Sequence, residues 1–300
     1  MHGRAAALGA GTILNALATE TGSAFGIDVE TRATVELASD ADDVDGEIAE
    51  DAEADTALIE RCVELAVERW GDGEGGTVRT DSDVPLAAGL KSSSAAANAT
   101  VLATCDALGA TVAGAHAEDT NPDLTRLEAC RLGVRAARET GVAVTGAFDD
   151  ATASMLGGVT VTDNTGDELL DRRSIEWDVL VWTPPERAYS ADADLDRCRN
   201  VASMAELVAD LALEGRYAEA MSVNGLAFSA ALGFSPDPAV EAMPHVSGVS
   251  LSGTGPSVVA VADPADPETD LDRVWDIWDD RDGSLRSTTT RNDGARIIAE

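Results

Sequence analysis

Lysine is almost missing from this chain. Lys91 is the only one, so arginine supplies the rest of the 21 basic residues, which face 55 Asp and Glu. The resulting formal charge of −34 excludes a nucleic-acid or anionic-membrane partner, since either would be repelled over most of the surface. Aromatic residues are scarce at 4%, which leaves Ala, Val, Leu and Ile to fill the core that 300 residues at 44% hydrophobic content can bury. Closely spaced cysteines are also missing. Cys62, Cys105, Cys130 and Cys198 stand far apart with no Cys-x-x-Cys pair, and three fall in apolar helical patterns. That spacing argues against metal ligation and for buried free thiols in a reducing cytoplasm. No apolar run approaches the ~18 residues of a membrane span. Gly9, Gly11, Thr12 and Asn15 interrupt the stretch that a secretory leader requires, so the N-terminus reads as mature protein.

The acids that are present alternate with apolar periodicity throughout, which marks a folded chain rather than a disordered one. Strand-like pieces are expected within 3–18 and 24–37, an amphipathic helix over 56–70 and a strand over 77–84. The acidic run 40–55 reads as a solvated loop or helix start. Helices follow over 94–108, over a short piece 111–118 carrying His116, and from 121–123 to about 140. Strands at 142–145 and 159–162 flank an Asp-Asp segment, and the turn 163–168 is expected as a boundary between domains 1–165 and 166–300. The second half reads as a strand (178–182), helices (192–213 and 216–231), two strands around a Gly-rich turn (246–252 and 257–262), a Trp-bearing helix (268–280) and a closing hairpin turning at 292–294. Strands mixed with helices in this way imply an α+β sandwich with a mainly antiparallel sheet.

The chemistry gathers in one stretch, Pro85-Leu86-Ala87-Ala88-Gly89-Leu90-Lys91-Ser92-Ser93-Ser94-Ala95. A Pro and a Gly keep its first half irregular, and an Ala-rich helix is expected from about Ser94, itself a good N-cap. Unpaired N–H groups at the positive end of a helix make an anion site, and a polyphosphate is the obvious anion. Three successive serines exceed what a cap needs, and the chain's single lysine sits among them. The Gly-x4-Gly-Lys-Ser/Thr phosphate loop does not fit, because Leu90 separates Gly89 from Lys91.

The pattern Pro-x3-Gly-Leu-x-Ser-Ser-Ser-Ala resembles the nucleotide loop of the GHMP kinases. The opening segment from Gly11 to Asp28 and the segment Thr145–Ala151 (TGAFDDA) narrow the likeness to the archaeal shikimate kinase branch, over nearly the whole chain. The resemblance implies the two-domain GHMP kinase fold, with an N-terminal ribosomal protein S5 domain 2-like half and a C-terminal ferredoxin-like α/β sandwich. It further implies that ATP and Mg²⁺ serve the phosphorylation of shikimate, with a homoserine or mevalonate-type kinase, or a metabolite sensor without turnover, as the alternatives. Residues 85–95 would then bind nucleotide, with Lys91 as a point charge. Ser93 or Ser94 would face the metal; Ser94 is taken as the ligand, and Glu139 stands near where some relatives carry a magnesium-binding glutamate. An aspartate ahead of the Gly157-Gly158 turn would lie by the acceptor hydroxyl, Asp149 or Asp150, with Asp149 preferred. Substrate would meet Thr12, Asn15, Ser23 and Asp28 from the opening segment, and Ser252, Gly253, Thr254 and Gly255 from the family's C-terminal Gly-rich loop. The carboxylate of shikimate wants a guanidinium fork, for which Arg4, Arg32, Arg79 and Arg291 stay open. His2, His116 and His245 form no cluster, and Arg172-Arg173 reads as an exposed turn.

The charge balance also points to adaptation to molar salt, where the Debye length falls to about 3 Å and carboxylate repulsion is screened. The melting temperature is therefore expected to rise from low to molar KCl. A thermal melt across that range checks it, and a flat or falling trend removes the idea.

Overall fold

A computed structural model of the chain describes residues 1–85, 87–114, 122–143, 147–188 and 193–299. Leu86, His116 and the start of the Asp-Asp motif (144–146) lie outside the described residues.

The first layer is a sheet built on two long strands, β1 (His2–Leu14) and β2 (Thr21–Ala38). β2 also pairs with β4 (Gly75–Ser82) and with β7 (Val159–Asp163). β3 (Val44–Ile48) runs parallel to β4, and β8 (Glu168–Arg173) extends β7. The turn 163–168 thus lies inside this sheet, not at its end, and the chain leaves the sheet only after Arg173. Against it pack α1 (Ala57–Trp70), α2 (Ser92–Leu108) and α4 (Phe148–Leu156), while α3 (Arg126–Glu139) lies on those three helices.

Scarcity of aromatics shows directly in the packing. α2 is rich in Ala and carries no aromatic residue, and it lies so close on β1 that a Cβ on Gly3 would run into the carbonyl of Ala103. Small residues on both surfaces permit that approach, with Ala5, Ala7, Ala99 and Ala103 fully buried between them. α3 starts where the Thr125 hydroxyl accepts from the N–H of Glu128 and the Glu128 carboxylate returns to the N–H of Thr125, a capping box. The helix therefore begins about one turn after the expected start at 121–123. Residues 112–113 form a short strand, β5, paired with β6 (Leu124–Thr125), where a helix was expected.

The second sheet has the order β10 (Gly248–Leu251), β11 (Val258–Ala262), β9 (Asp178–Thr183), β12 (Ser284–Thr289), all antiparallel. Strict alternation gives it two apolar faces. Val179, Val181, Val259 and Val261 meet α6 (Ala202–Leu213), α7 (Tyr217–Leu232) and the far halves of β1 and β2, through Ile13, Leu14, Phe25 and Ile27. Leu180, Val249, Val258 and Ala260 meet α8 (Asp237–Ala242) and α9 (Leu271–Asp279) with its buried Trp278. One short helix, α5 (Leu195–Arg199), precedes α6, so the expected helix 192–213 is two pieces.

The segment at 292–294 does not close a hairpin. β12 ends in the second sheet, while β13 (Arg296–Ile297) pairs with β1 in the first. The turn between them packs on Gly157-Gly158, both at positive φ, where a Cβ on Gly157 would crowd the N–H of Gly294. Arg172 lies in β8 rather than in an exposed turn, and it donates to the carbonyls of Leu156, Gly157 and Asn292, clamping the end of α4.

Glu30, only 7% exposed, holds this return of the chain. It accepts from Arg296 on both oxygens and from Arg291 at 2.8 Å. Burial pushes its carboxyl up, but the hydrogen bonds and charges of Arg296 and Arg291 outweigh that and keep it below the usual carboxylate range. Glu30→Ala is expected to cost about 2 kcal/mol near neutral pH. Because the folded pKa is depressed, that contribution is present above the ordinary Glu range and is lost as pH falls through the folded value. Urea titrations at neutral pH and near pH ~3.5 check this, with the gap between wild type and variant narrowing in acid.

Candidate active site

Three segments close around one cavity of about 570 Å³. The first is the serine loop. Ala87, Gly89 and Lys91 all have positive φ, and Lys91 in the left-handed region is the residue from which α2 begins. The helix therefore starts at Ser92, two residues before the expected cap at Ser94, and its free N–H groups open toward the cavity. Ala87, Gly89, Lys91, Ser92 and Ser93 line it, whereas Leu90 and Ala95 are buried in the two cores behind. Ala88 is buried too, its carbonyl accepting from the Ser257 N–H at 3.3 Å, and Pro85 stands off the lining. Ser94 is also off the lining, turned one position round the helix, which removes the basis for choosing it over Ser93 as the metal-facing hydroxyl.

The second segment is the Gly-rich loop after β10. The Ser252 hydroxyl donates to the Gly89 carbonyl at 2.8 Å, and a Cβ on Gly89 would run into the Ser252 carbonyl, so only glycine permits the approach. Gly253 passes over the lysine, with its absent Cβ 2.9 Å from Lys91 Nζ. Gly253 and Thr254 line the cavity, while Ser252 and Gly255 shape the loop from behind. Thr12 and Asn15 hold this loop: the Gly253 N–H donates to Thr12 Oγ1 at 2.7 Å, and Asn15 Nδ2 donates to the Gly253 carbonyl at 2.7 Å. Of these two, Asn15 reaches the cavity wall and Thr12 does not.

The third segment is the first turn of α4, a helix that the flanking strands hid at the sequence level. Asp149 and Asp150 both line the cavity. Asp150 pairs with Lys91 Nζ at 2.8 Å, with the lysine side chain only 4% exposed. Asp149, 5% exposed, packs on β2 so tightly that any side chain on Gly22 would run into its carboxylate. Desolvation and then the charge of Asp150 push its carboxyl up to about 7, against the opposing pull of Lys91 and a hydrogen bond from Asn164. Asn164 was read only as part of a turn, and no pattern in the sequence marks it.

Other expected residues lie elsewhere. Ser23 is fully buried in β2 and off the cavity. Asp28 is an outer partner of Arg291, at 3.0 Å. Glu139 is bound by Arg61 and Arg135 at the far end of α3, both at 2.6 Å, and is a surface ion pair rather than a metal ligand. None of the four arginines proposed for a carboxylate reaches the cavity. Arg32 pairs with Asp83, Arg79 with Glu47 and Arg291 with Glu30 and Asp293, while Arg4 stands exposed on β1. Arg187, in the loop after β9, lines it instead, held there by the hydrogen bond from the Ala188 N–H to the Ala87 carbonyl at 3.1 Å. The acidic run is likewise not all solvated loop: 44–48 is β3, and Glu50, Asp51, Glu53 and Asp55 line the cavity, as do Ile48, Leu58 and Ile59.

A helix N-terminus with a lone ammonium, facing a buried carboxylate across an enclosed space, is a phosphoryl-transfer arrangement, and the comparisons agree. The profile described as GHMP kinases N terminal domain matches residues 57–158. Over 296 residues the chain is 59% identical to the shikimate kinase of Halobacterium salinarum, covering 99% of both chains. The chain belongs to the GHMP kinases, in the branch of the archaeal shikimate kinases. The shikimate kinase of Methanosarcina mazei is 48% identical, covering 98% of this chain and 96% of that one. Among solved structures, the mevalonate kinase of Methanococcus jannaschii superposes with a TM-score of 0.71 at 13% identity, covering 97% and 98% of the two chains. That likeness shows the GHMP kinase fold. Among the described residues no helix is long and apolar enough to cross a membrane.

A buried aspartate whose pKa is raised costs stability once it ionises. The native state binds the proton more tightly than the unfolded chain, so the cost grows as pH rises from the ordinary Asp range to about 7. Asp149→Asn keeps an oxygen for Asn164 and removes the charge. It is expected to raise the melting temperature by several degrees near pH ~8 and by little near pH ~4.5, which differential scanning calorimetry at the two pH values checks.

Proposed function

We propose that this protein transfers the γ-phosphoryl group of ATP to the 3-hydroxyl of shikimate, with the groups of the cavity in defined roles. Shikimate as acceptor is supported by the relatives, which share up to 59% identity along the full chain. Phosphoryl transfer is carried by one observation: the 2.8 Å contact of Lys91 with Asp150, which puts the N-terminus of α2 and the buried Asp149 on the same cavity.

The nucleoside would occupy the end bounded by Ile48, Leu58 and Ile59, whose apolar surfaces suit a base and whose neighbouring carboxylates accept from ribose hydroxyls. The triphosphate would run along the N–H groups from Gly89 to Ser93, with Lys91 neutralising charge at its end. A magnesium ion asks little of the protein beyond phosphate oxygens and water, and Ser92 and Ser93, with hydroxyls on the cavity wall, fit that demand. When bound, it would neutralise charge building on the phosphate oxygens. Shikimate would lie by Asp149, with its carboxylate on Arg187. In the transfer the hydroxyl oxygen bonds to the γ-phosphorus and the bond to the β–γ bridging oxygen breaks, its electrons leaving on ADP. The hydroxyl proton passes to Asp149, which burial and Asp150 hold near neutrality, the useful range for a base at cellular pH.

The test is ADP release with shikimate, homoserine and mevalonate as acceptors, for the wild type and Arg187→Met. Shikimate alone is expected to turn over. The Arg187→Met variant should raise the KM for shikimate by ~10- to 100-fold, as loss of a charged fork implies, with the KM for ATP little changed. Equal turnover of another acceptor overturns the substrate assignment, and an unchanged shikimate KM removes Arg187 from the carboxylate.

A further inference from the structure

Asp149 does not stand alone in its pocket. From the turn between β7 and β8, Asn164 Nδ2 donates to Asp149 Oδ1 at 2.8 Å. The Asn164 Oδ1 accepts from the Asp149 N–H at 3.2 Å and from the Thr162 hydroxyl at 2.8 Å. Its own N–H donates to the Glu20 carbonyl at 2.9 Å. A backbone N–H can only donate, so the atom facing it is the amide oxygen, and the NH₂ is left for the carboxylate. Asn164 is 3% exposed and off the cavity wall, so nothing bound there touches it.

We propose that Asn164 is the positioning residue of the reaction: by holding Oδ1 of Asp149 it fixes how that carboxylate is presented to the acceptor hydroxyl. This deepens the phosphoryl-transfer reading above and rests on it.

The network explains why a buried, like-charged aspartate remains useful. Two influences resist its ionisation, burial and the adjacent Asp150; three support it, Lys91 from the serine loop, the amide of Asn164 and the backbone N–H of Asp150. Of the other elements packed here, β2 presents Gly22. α3 brings Arg138, which donates to the Asn164 carbonyl at 3.4 Å and pairs with Asp167 at 2.6 Å, and Arg131, which donates to the Asp167 carbonyl at 2.9 Å and lies over the ring of Phe148. Both guanidiniums are engaged on the turn and not on the Asp149 carboxylate. Asn164 is thus the neutral side chain of the set, and its donated hydrogen bond stabilises the charged form of Asp149 more than the neutral one. Fixing Oδ1 also fixes the carboxylate plane, so loss of the amide frees the base to rotate out of line with the hydroxyl.

The experiment is the pH profile of kcat/KM for shikimate in wild type, Asn164→Ala and Asn164→Asp, with thermal melts to confirm folding. Asn164→Ala should lower kcat at neutral pH by ~10- to 100-fold, within the range that general-base catalysis contributes, and leave the KM for ATP unchanged. Its acid limb should move to higher pH. Asn164→Asp should move the limb further, since a second carboxylate then opposes ionisation. An acid limb identical to wild type in a folded Asn164→Ala overturns the proposal. Should that variant not fold, Thr162→Val removes the hydroxyl that orients the amide while keeping its volume, and the same shift in smaller degree is expected; its absence counts equally against the proposal. Asp149→Asn separates the two readings. If it retains wild-type activity, the base assignment has failed; if it is inactive while Asn164→Ala titrates as wild type, only the role of Asn164 has.

Discussion

The site depends on an ammonium buried against a carboxylate. Lys91 Nζ and Asp150 Oδ1 are 2.8 Å apart, with the lysine side chain nearly excluded from solvent. Taking both charges out of water is expensive, and their mutual attraction in a poorly screened setting offsets that only when the geometry is good. Such a pair contributes little to stability for its cost. What it does is tie the start of α2 to the start of α4, so that the N-terminal end of one helix and the buried carboxylate of Asp149 face one space. Gly253 passing over the lysine and Gly22 pressed on Asp149 are consequences, since any side chain at either would move the pair or its neighbour.

The pair also gives the two adjacent aspartates different work. Asp150 has a cation beside it. Asp149 has burial and its neighbour's charge, and these push its carboxyl up against the weaker pull of Lys91, the Asn164 amide and the Asp150 N–H. One turn of helix thus carries an anchor and, in the proposed reaction, a base, and the difference between them lies in what each side chain faces. The chain's composition sharpens the arrangement. Arginine supplies surface ion pairs such as those of Glu47, Glu139 and Asp167, and the one lysine is kept for the place where a compact point charge is wanted.

Much of this was legible in the residues. The Pro-x3-Gly-Leu-x-Ser-Ser-Ser-Ala stretch, the Asp-Asp pair and the Gly-rich loop are local patterns, and each lands on or directly behind the cavity. What was not legible depends on contacts distant in the chain. Asn164 matters because β7 pairs with β2 and brings its turn to α4. Arg187 reaches the cavity because Ala188 bonds to the serine loop a hundred residues earlier in the chain, and Arg291, equally plausible by type, is drawn off by Glu30. Glu139 failed as a ligand because Arg61, 78 positions away, claims it. The helix at 148–156 was missed since its nine residues sit between Gly-bearing turns and include only a short apolar period. The acidic run was misread because local charge does not reveal that β3 turns its far half over a cavity.

A chain with a single lysine offers a direct view of that buried ammonium. Protein labelled with ¹⁵N at lysine Nζ gives one side-chain resonance, that of Lys91. The account predicts a signal protected from rapid exchange with water, displaced by Asp150→Asn and displaced again when a nonhydrolysable ATP analogue binds. A resonance that exchanges as freely as lysine in a disordered peptide, unmoved by the variant and by the nucleotide, would contradict it.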